Sequence, residues 1–262
     1  MTAQEFKEEF NLRYNNALEG APGLDTFEIS SYLTIAQEQY VKMHYDGTKD
    51  LSTGFEYTEK CRRVLSPLVR NVNVKDPVGN LPTTANPLEN PLLGMTDDSV
   101  FYELADNVMY ILLETVLHSG TIDSCGVVEG GTITPVIPTT HDEFHSSIKN
   151  PFRKPSKKKV FRMDTFIRGG KLVVEVIPPP GLVIQQYRAR YLAQPFPIIV
   201  ESLTSAEDVS GMGLTIEGKT QEATCKLADF THREIINIAV QNAVLDYRES
   251  NLQGRVQLDG RV

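Results

Sequence analysis

The side chains best spaced for chemistry lie in His141-Asp142-Glu143-Phe144-His145. Two histidines at i and i+4 share one face of a helix and can bind zinc. Metalloproteases of this pattern place their acid directly after the first histidine, and aspartate at that position, Asp142, is a poor match. No third ligand is evident. Thr140 and Glu143 explain the same stretch as a helix cap. Catalytic residues, a metal site and a cofactor are therefore all expected to be absent. A metal-dependent hydrolase using His141 and His145 is the alternative in a different class.

Other constellations are weaker. Gly126 to Gly131 lacks the spacing of a phosphate loop and precedes a strand rather than a helix. No serine sits in a Gly-x-Ser-x-Gly elbow. Cys61, Cys125 and Cys225 are far apart, odd in number and without metal spacing, and so read as reduced thiols. Asp97-Asp98 and Glu207-Asp208 read as solvated acidic pairs in loops. The concentrated positive run is Arg153, Lys154, Lys157, Lys158 and Lys159. It reads as a solvated lead into a strand, or as a contact for an acidic partner or DNA phosphate. No aromatic interleaves the run, which argues against base stacking.

Composition narrows the class. The chain has 262 residues, 40% hydrophobic and 23% charged, so it has the makings of a sizeable core. Its net charge of −8 argues against a general nucleic-acid binder but permits a wall that DNA slides past. No apolar run approaches the ~20 residues of a membrane span. Residues 1–10 are acidic and lack a signal peptide's apolar core, so synthesis in a cytosol is expected.

The elements that must hold these residues follow from spacing. Thr2-Ala3-Gln4-Glu5 is a capping box, and Phe6, Phe10, Tyr14 and Leu18 follow at steps of four, which predicts a first helix over 2–18. Asp25-Thr26-Phe27-Glu28 opens a second helix, striped by Ile29, Leu33, Ala36, Tyr40 and Met43 and stopped by Gly47. A third is predicted over 58–69, with Pro67 disturbing its last turn. Thr231-His232-Arg233-Glu234 is a further capping box, followed by Ile236, Ala239, Val240, Ala243 and Tyr247 on one face.

Between them lie strands. Val100 to Leu104 is short. Asp106 to His118 is a buried helix or a long strand, with strand favoured for its second half. Residues 131–137 form a partner that Pro135 would push to a sheet edge. Thr140 caps a short helix through Ile148. Lys159 to Ile167, the turn Arg168-Gly169-Gly170-Lys171 and Leu172 to Ile177 make a hairpin, ended by Pro178-Pro179-Pro180-Gly181. Leu182 to Leu192 alternates Tyr187, Ala189 and Tyr191 against an outer face of Gln186, Arg188 and Arg190.

The expected fold class is α+β: a small helical bundle, three N-terminal helices plus a C-terminal one, packed with an antiparallel β-sheet domain. The expected divisions are a bundle from 1–70 and 226–250, an extended Pro/Asn-rich arm over 71–98, a β domain over 99–203, a loop over 204–225 and a tail over 251–262. The arm reads as a mobile surface loop or as a segment that orders on a neighbouring subunit.

Several strings resemble one family. They are residues 1–10, Ala21-Pro22-Gly23-Leu24-Asp25, Phe27-Glu28-Ile29-Ser30 and Leu33-Thr34-Ile35-Ala36-Gln37-Glu38. Further on come Thr140-His141-Asp142-Glu143-Phe144, Asn150-Pro151-Phe152-Arg153-Lys154-Pro155 and Tyr187-Arg188-Ala189-Arg190-Tyr191-Leu192. Pro195-Phe196-Pro197-Ile198-Ile199 and Cys225-Lys226-Leu227, ahead of His232-Arg233-Glu234-Ile235, complete the set. The chain resembles the structural ring proteins of crAss-like tailed bacteriophages and, more distantly, podovirus tail adaptors of the tail tubular protein A or gatekeeper type. That resemblance implies a non-enzymatic virion protein in the neck, below the portal, made in the host cytoplasm. It also implies a homo-oligomeric ring, usually twelve-fold, between portal and tail proteins. Double-stranded DNA would pass through without specific binding, and no membrane would be engaged. An early-infection effector that binds a host protein is a further alternative, with the 71–98 segment as its reader.

Overall fold

In the computed structural model, residues 1–18, 20, 22–47, 55, 58–78, 94–118, 131–203 and 214–259 are described, with backbone alone at 166–168 and 249–259. The chain forms two compact units, Met1–Leu68 with Gln194–Val262, and Val69–Ala193.

The first unit is helical. α1 spans Ala3–Ala17 and α2 spans Thr26–Asp46. Both begin on the expected capping boxes, with Thr2 and Glu5 exchanging hydrogen bonds at one and Asp25 and Glu28 at the other. Gly47, in a left-handed conformation at φ 74°, ends α2 where a side chain would be strained. α3 is shorter than expected, Glu59–Leu65, because Pro67 lies in a 3-10 turn, Ser66–Leu68, and the chain turns extended at Val69. α5 spans His232–Asp259 and packs on α1 and α2, so its last turns occupy residues expected to form a tail. Phe6, Phe10, Tyr14, Leu33, Tyr40, Ile236 and Ala239 are all buried in this unit.

The cap expected at Thr231 is not there. Thr231 lies in a 3-10 turn, Asp229–Thr231, and its hydroxyl donates to the Ala228 carbonyl at 2.7 Å rather than accepting from Glu234. The preceding turn already orders the start of α5, so the hydroxyl is redirected to close that turn.

A second feature of this unit was not expected. Residues 195–200 run extended along α2 without joining a sheet. Ile199 exchanges backbone hydrogen bonds with Ala223, and α2 bonds three other residues of the stretch from one polar stripe. Ser30 Oγ accepts from the Val200 N–H at 3.1 Å, and Thr34 Oγ1 accepts from the Ile198 N–H at 3.1 Å. Gln37 Nε2 donates to the Phe196 carbonyl at 2.8 Å. All three side chains are buried, where an unpaired backbone group is costly. The stretch was expected within the β domain and instead belongs to the helical unit.

The second unit is a seven-stranded sheet with one helix. Its strands are β1 (Val69–Val74), β2 (Val100–Glu103), β3 (Val108–His118), β4 (Thr132–Pro138), β5 (Val160–Arg168), β6 (Lys171–Ile177) and β7 (Ile184–Ala193). The order across the sheet is β1-β7-β3-β4-β5-β6-β2. Only β4 and β5 pair in parallel. β1 places residues 71–74, expected in the arm, inside the sheet, while residues 79–93 of that expected arm lie outside the described residues.

Pro135 does not put β4 at an edge. β4 pairs with β3 through Thr132–Pro135 and with β5 from Val136 onward, so the residue without an N–H sits where the strand changes partners. The sheet curls on itself. Val72 and Val74 of β1 and Val100 of β2, from opposite ends of the strand order, pack on the same core around Val116, Val174, Val176 and Tyr187. Beyond β1, the Val78 N–H reaches the Phe101 carbonyl of β2 at 2.8 Å.

The β5–β6 hairpin turns at Gly169 and Gly170, φ 56° and 85°, as a type I′ turn demands. The outer face of this hairpin carries Phe161, Met163 and Ile177, and α4 (His141–Lys149) covers it with its one buried residue, Phe144. β7 alternates as expected, except at Gln186. That side chain is buried, with its carbonyl oxygen accepting from Arg188 Nε at 3.0 Å and Nη2 at 2.7 Å.

Candidate functional site

The residues with the best chemical spacing do not build an active site. α4 begins on Thr140, whose hydroxyl accepts from the Glu143 N–H at 3.3 Å. His141 and His145 project from exposed positions on either side of buried Phe144. No group of three metal-ligating side chains exists among the described residues. Cys61 and Cys225 are buried free thiols, and burial pushes the Cys225 thiol up to about 11, away from a reactive thiolate. Cys125, Gly126–Gly130 and the Glu207-Asp208 pair lie outside the described residues. Asp97 and Asp98 are exposed in the turn before β2.

The strongest electrostatic feature is internal. Glu114 on β3 faces into the curled sheet, where its carboxylate accepts from Arg162 Nη1 at 2.9 Å and from the Tyr187 hydroxyl at 2.6 Å. Burial pushes the Glu114 carboxyl above its usual range, and the Arg162 charge and Tyr187 hydrogen bond only partly offset it. Burial likewise raises the Tyr187 phenol, with the Glu114 charge adding to it. These side chains tie β3, β5 and β7 to one another, with Arg162 Nη1 also 3.5 Å from Asp164.

The surface carries two features that a lone monomer does not need. The first is the basic run, which the structure places on a built loop between α4 and β5. The Asn150 side-chain oxygen accepts from the Phe152 N–H at 3.0 Å, and its carbonyl accepts from the Arg153 and Lys154 N–H groups. Ser156 and Lys159 bond each other's backbone across a tight turn, and Thr134 Oγ1 donates to the Lys157 carbonyl at 2.8 Å. Pro155 is buried beneath. On this frame Phe152 stands 90% exposed, next in the chain to Arg153 and Lys154, with Lys159 Nζ donating to its carbonyl at 3.0 Å. The sequence signal existed: an aromatic directly before a basic run, in a turn set by Asn-Pro.

The second feature is an open groove of about 950 Å³ in the helical unit, between α1 and the Asp229–Thr231 turn. Leu12 and Phe230 line it, each 62% exposed. Glu5, Glu8 and Asp229 ring them, and the Asp229 side chain is 91% exposed. Arg13 is held by Glu9 and Asn237, while Arg233, 78% exposed, and the Met1 ammonium, 3.4 Å from Asp229 Oδ1, also line the groove.

These features are those of a protein that assembles. The sequence matches the family described as phage tail ring protein 3/4 over residues 1–253. It is 31% identical over 247 residues to Ring protein 3 of Bacteroides phage crAss001, covering 94% of this chain and 96% of that protein. It is 28% identical over 265 residues to Ring protein 4/5 of the same phage, covering 100% and 99%. The chain belongs to the phage tail ring protein 3/4 family and is a structural ring protein of a crAss-like phage virion. Among the described residues, no helix is long and apolar enough to cross a membrane.

Proposed function

We propose that this chain forms a homo-oligomeric ring, twelve-fold as in the adaptors it resembles, in the portal–tail connector. In that place it links capsid to tail, meets portal and other ring or tail proteins above and below, and encircles the DNA channel without enzymatic action. The observation that carries the reading is Phe152, 90% exposed on a loop held by its own hydrogen bonds. Covering an aromatic so presented removes apolar surface from water, which favours a partner there. The net charge of −8 suits a wall past which DNA moves without binding.

Antibody labelling of purified particles, viewed by electron microscopy, tests the place. Label at the single tail vertex is the expected result. Label elsewhere on the particle, or particles whose digest holds no peptide of this chain, would overturn it.

A further inference from the structure

We infer that the Phe152 loop of one copy seats in the α1 groove of the next copy, forming the contact that repeats around the ring. This rests on the ring reading above and names the two surfaces that meet. A closed ring of identical subunits needs two different patches on each, mating head to tail. This chain carries two that match in kind.

Apolar meets apolar. Phe152 is the most exposed large apolar side chain among the described residues, and the groove offers Leu12 and Phe230, each 62% exposed. A groove of about 950 Å³ admits a phenyl ring together with the turn that bears it. Positive meets negative. Arg153 and Lys154 follow Phe152 in the chain and are exposed, while the groove's four carboxylates, Glu5, Glu8, Glu9 and Asp229, outnumber its three cations, the Met1 ammonium, Arg13 and Arg233. The guanidinium or ammonium groups can also lie over the Phe230 ring, a favourable arrangement for a cation on an aromatic face.

The exposed phenyl favours a second copy over DNA as the occupant of the loop, since the groove offers it an apolar seat and a phosphate backbone does not. Copies of net charge −8 repel one another. A local opposite-charge contact is the means by which such subunits approach and fix their register. The loop's backbone is already held by its own hydrogen bonds, which lowers the cost of ordering it on association.

Cysteine pairing tests the contact. Leu12→Cys and Phe152→Cys both fall at exposed positions, so each single variant should fold. Each trims the apolar contact and should enter particles less than wild type, and the gel is read on the copies that do enter. In particles carrying the double variant, mild oxidation should give a ladder of multiples of 29.3 kDa on a non-reducing gel. Either single variant should give no ladder, which also controls for the native cysteines. Double-variant chains that are present in particles yet stay monomeric would overturn the inference while leaving the ring reading intact. A band joining this chain to a different virion protein would overturn it too, by assigning the loop to another tier. Absence of even the wild-type chain from particles would instead defeat the ring reading.

A charge reversal gives an independent check. Glu8→Lys and Lys154→Glu should each reduce incorporation about tenfold, and the two together in one chain should restore it. Failure of the combination to restore, with both singles folded, would contradict the pairing of these surfaces.

Discussion

The two units satisfy their buried polar groups by opposite means. In the helical unit, α2 turns neutral side chains, Ser30, Thr34 and Gln37, onto the backbone of 196–200. In the sheet unit, a charged pair, Glu114 and Arg162, is buried with the Tyr187 hydroxyl as third member. Neutral partners carry no charge to leave uncompensated, so one can be lost singly at the cost of the hydrogen bonds it made. A buried charge left without its partner keeps its whole desolvation cost. The sheet unit should therefore be the more brittle to substitution inside, although its outer loop tolerates change.

Glu114→Ala should show the largest effect. It leaves Arg162, whose side chain is 10% exposed, with only the more distant and exposed Asp164 at 3.5 Å, and takes the acceptor from the Tyr187 hydroxyl. A loss of about 3–5 kcal/mol in denaturant unfolding is expected. Replacing Glu114 and Arg162 together by Leu and Met should cost clearly less than Glu114→Ala, and an equal cost would mean the charges themselves stabilise the sheet.

Thr34→Val should cost about 1–3 kcal/mol, because the buried Ile198 N–H loses its acceptor while the shape is kept. A larger loss than for Glu114→Ala would reverse the comparison. Thr231→Ala removes the 2.7 Å bond to the Ala228 carbonyl inside the same unit and should cost about 1 kcal/mol. Melting temperature reads both.

A smaller effect depends on pH. Glu217 lies near Glu38, and Gln194 Nε2 donates to both carboxylates, while Lys42 also pairs with Glu38. Burial, then the Glu38 hydrogen bond and charge, push the Glu217 carboxyl above its ordinary value of 4.5. Folding thus disfavours its ionised form. Stability from this site is fully present below about pH 4.5 and is lost as pH rises through the raised value. Glu217→Gln should melt slightly above wild type near neutral pH and level with it in acid. Phe152→Ser should alter stability least, within about 0.5 kcal/mol, yet reduce assembly. That separation of folding from assembly is what a surface contact requires.

Much of the helical unit was legible in the sequence, because helix caps and a 3.6-residue stripe are local signals. Thr2, Asp25 and Gly47 do what their spacing implied. Thr231 does not, since its hydroxyl had a nearer acceptor in the turn before it. The polar stripe Ser30, Thr34, Gln37 was visible at i, i+4 and i+7, but its partner lies about 160 residues away in the chain, and spacing cannot name it. In the sheet, strand positions were readable and strand order was not. Pro135 argued for an edge, and the change of partners along β4 is a tertiary arrangement that no local rule encodes. The histidines of α4 drew chemical attention by type, whereas Phe152, an ordinary apolar residue, became notable only once its exposure was known.

The central claim is that this chain closes into a ring around the channel at the tail vertex. Electron cryomicroscopy of that vertex in intact particles tests it most directly. The account predicts a closed ring of identical subunits, each showing one helical and one sheet unit, with a loop of each subunit touching the next. A vertex whose density accommodates neither unit, or copies of this chain arranged without rotational closure, would contradict it.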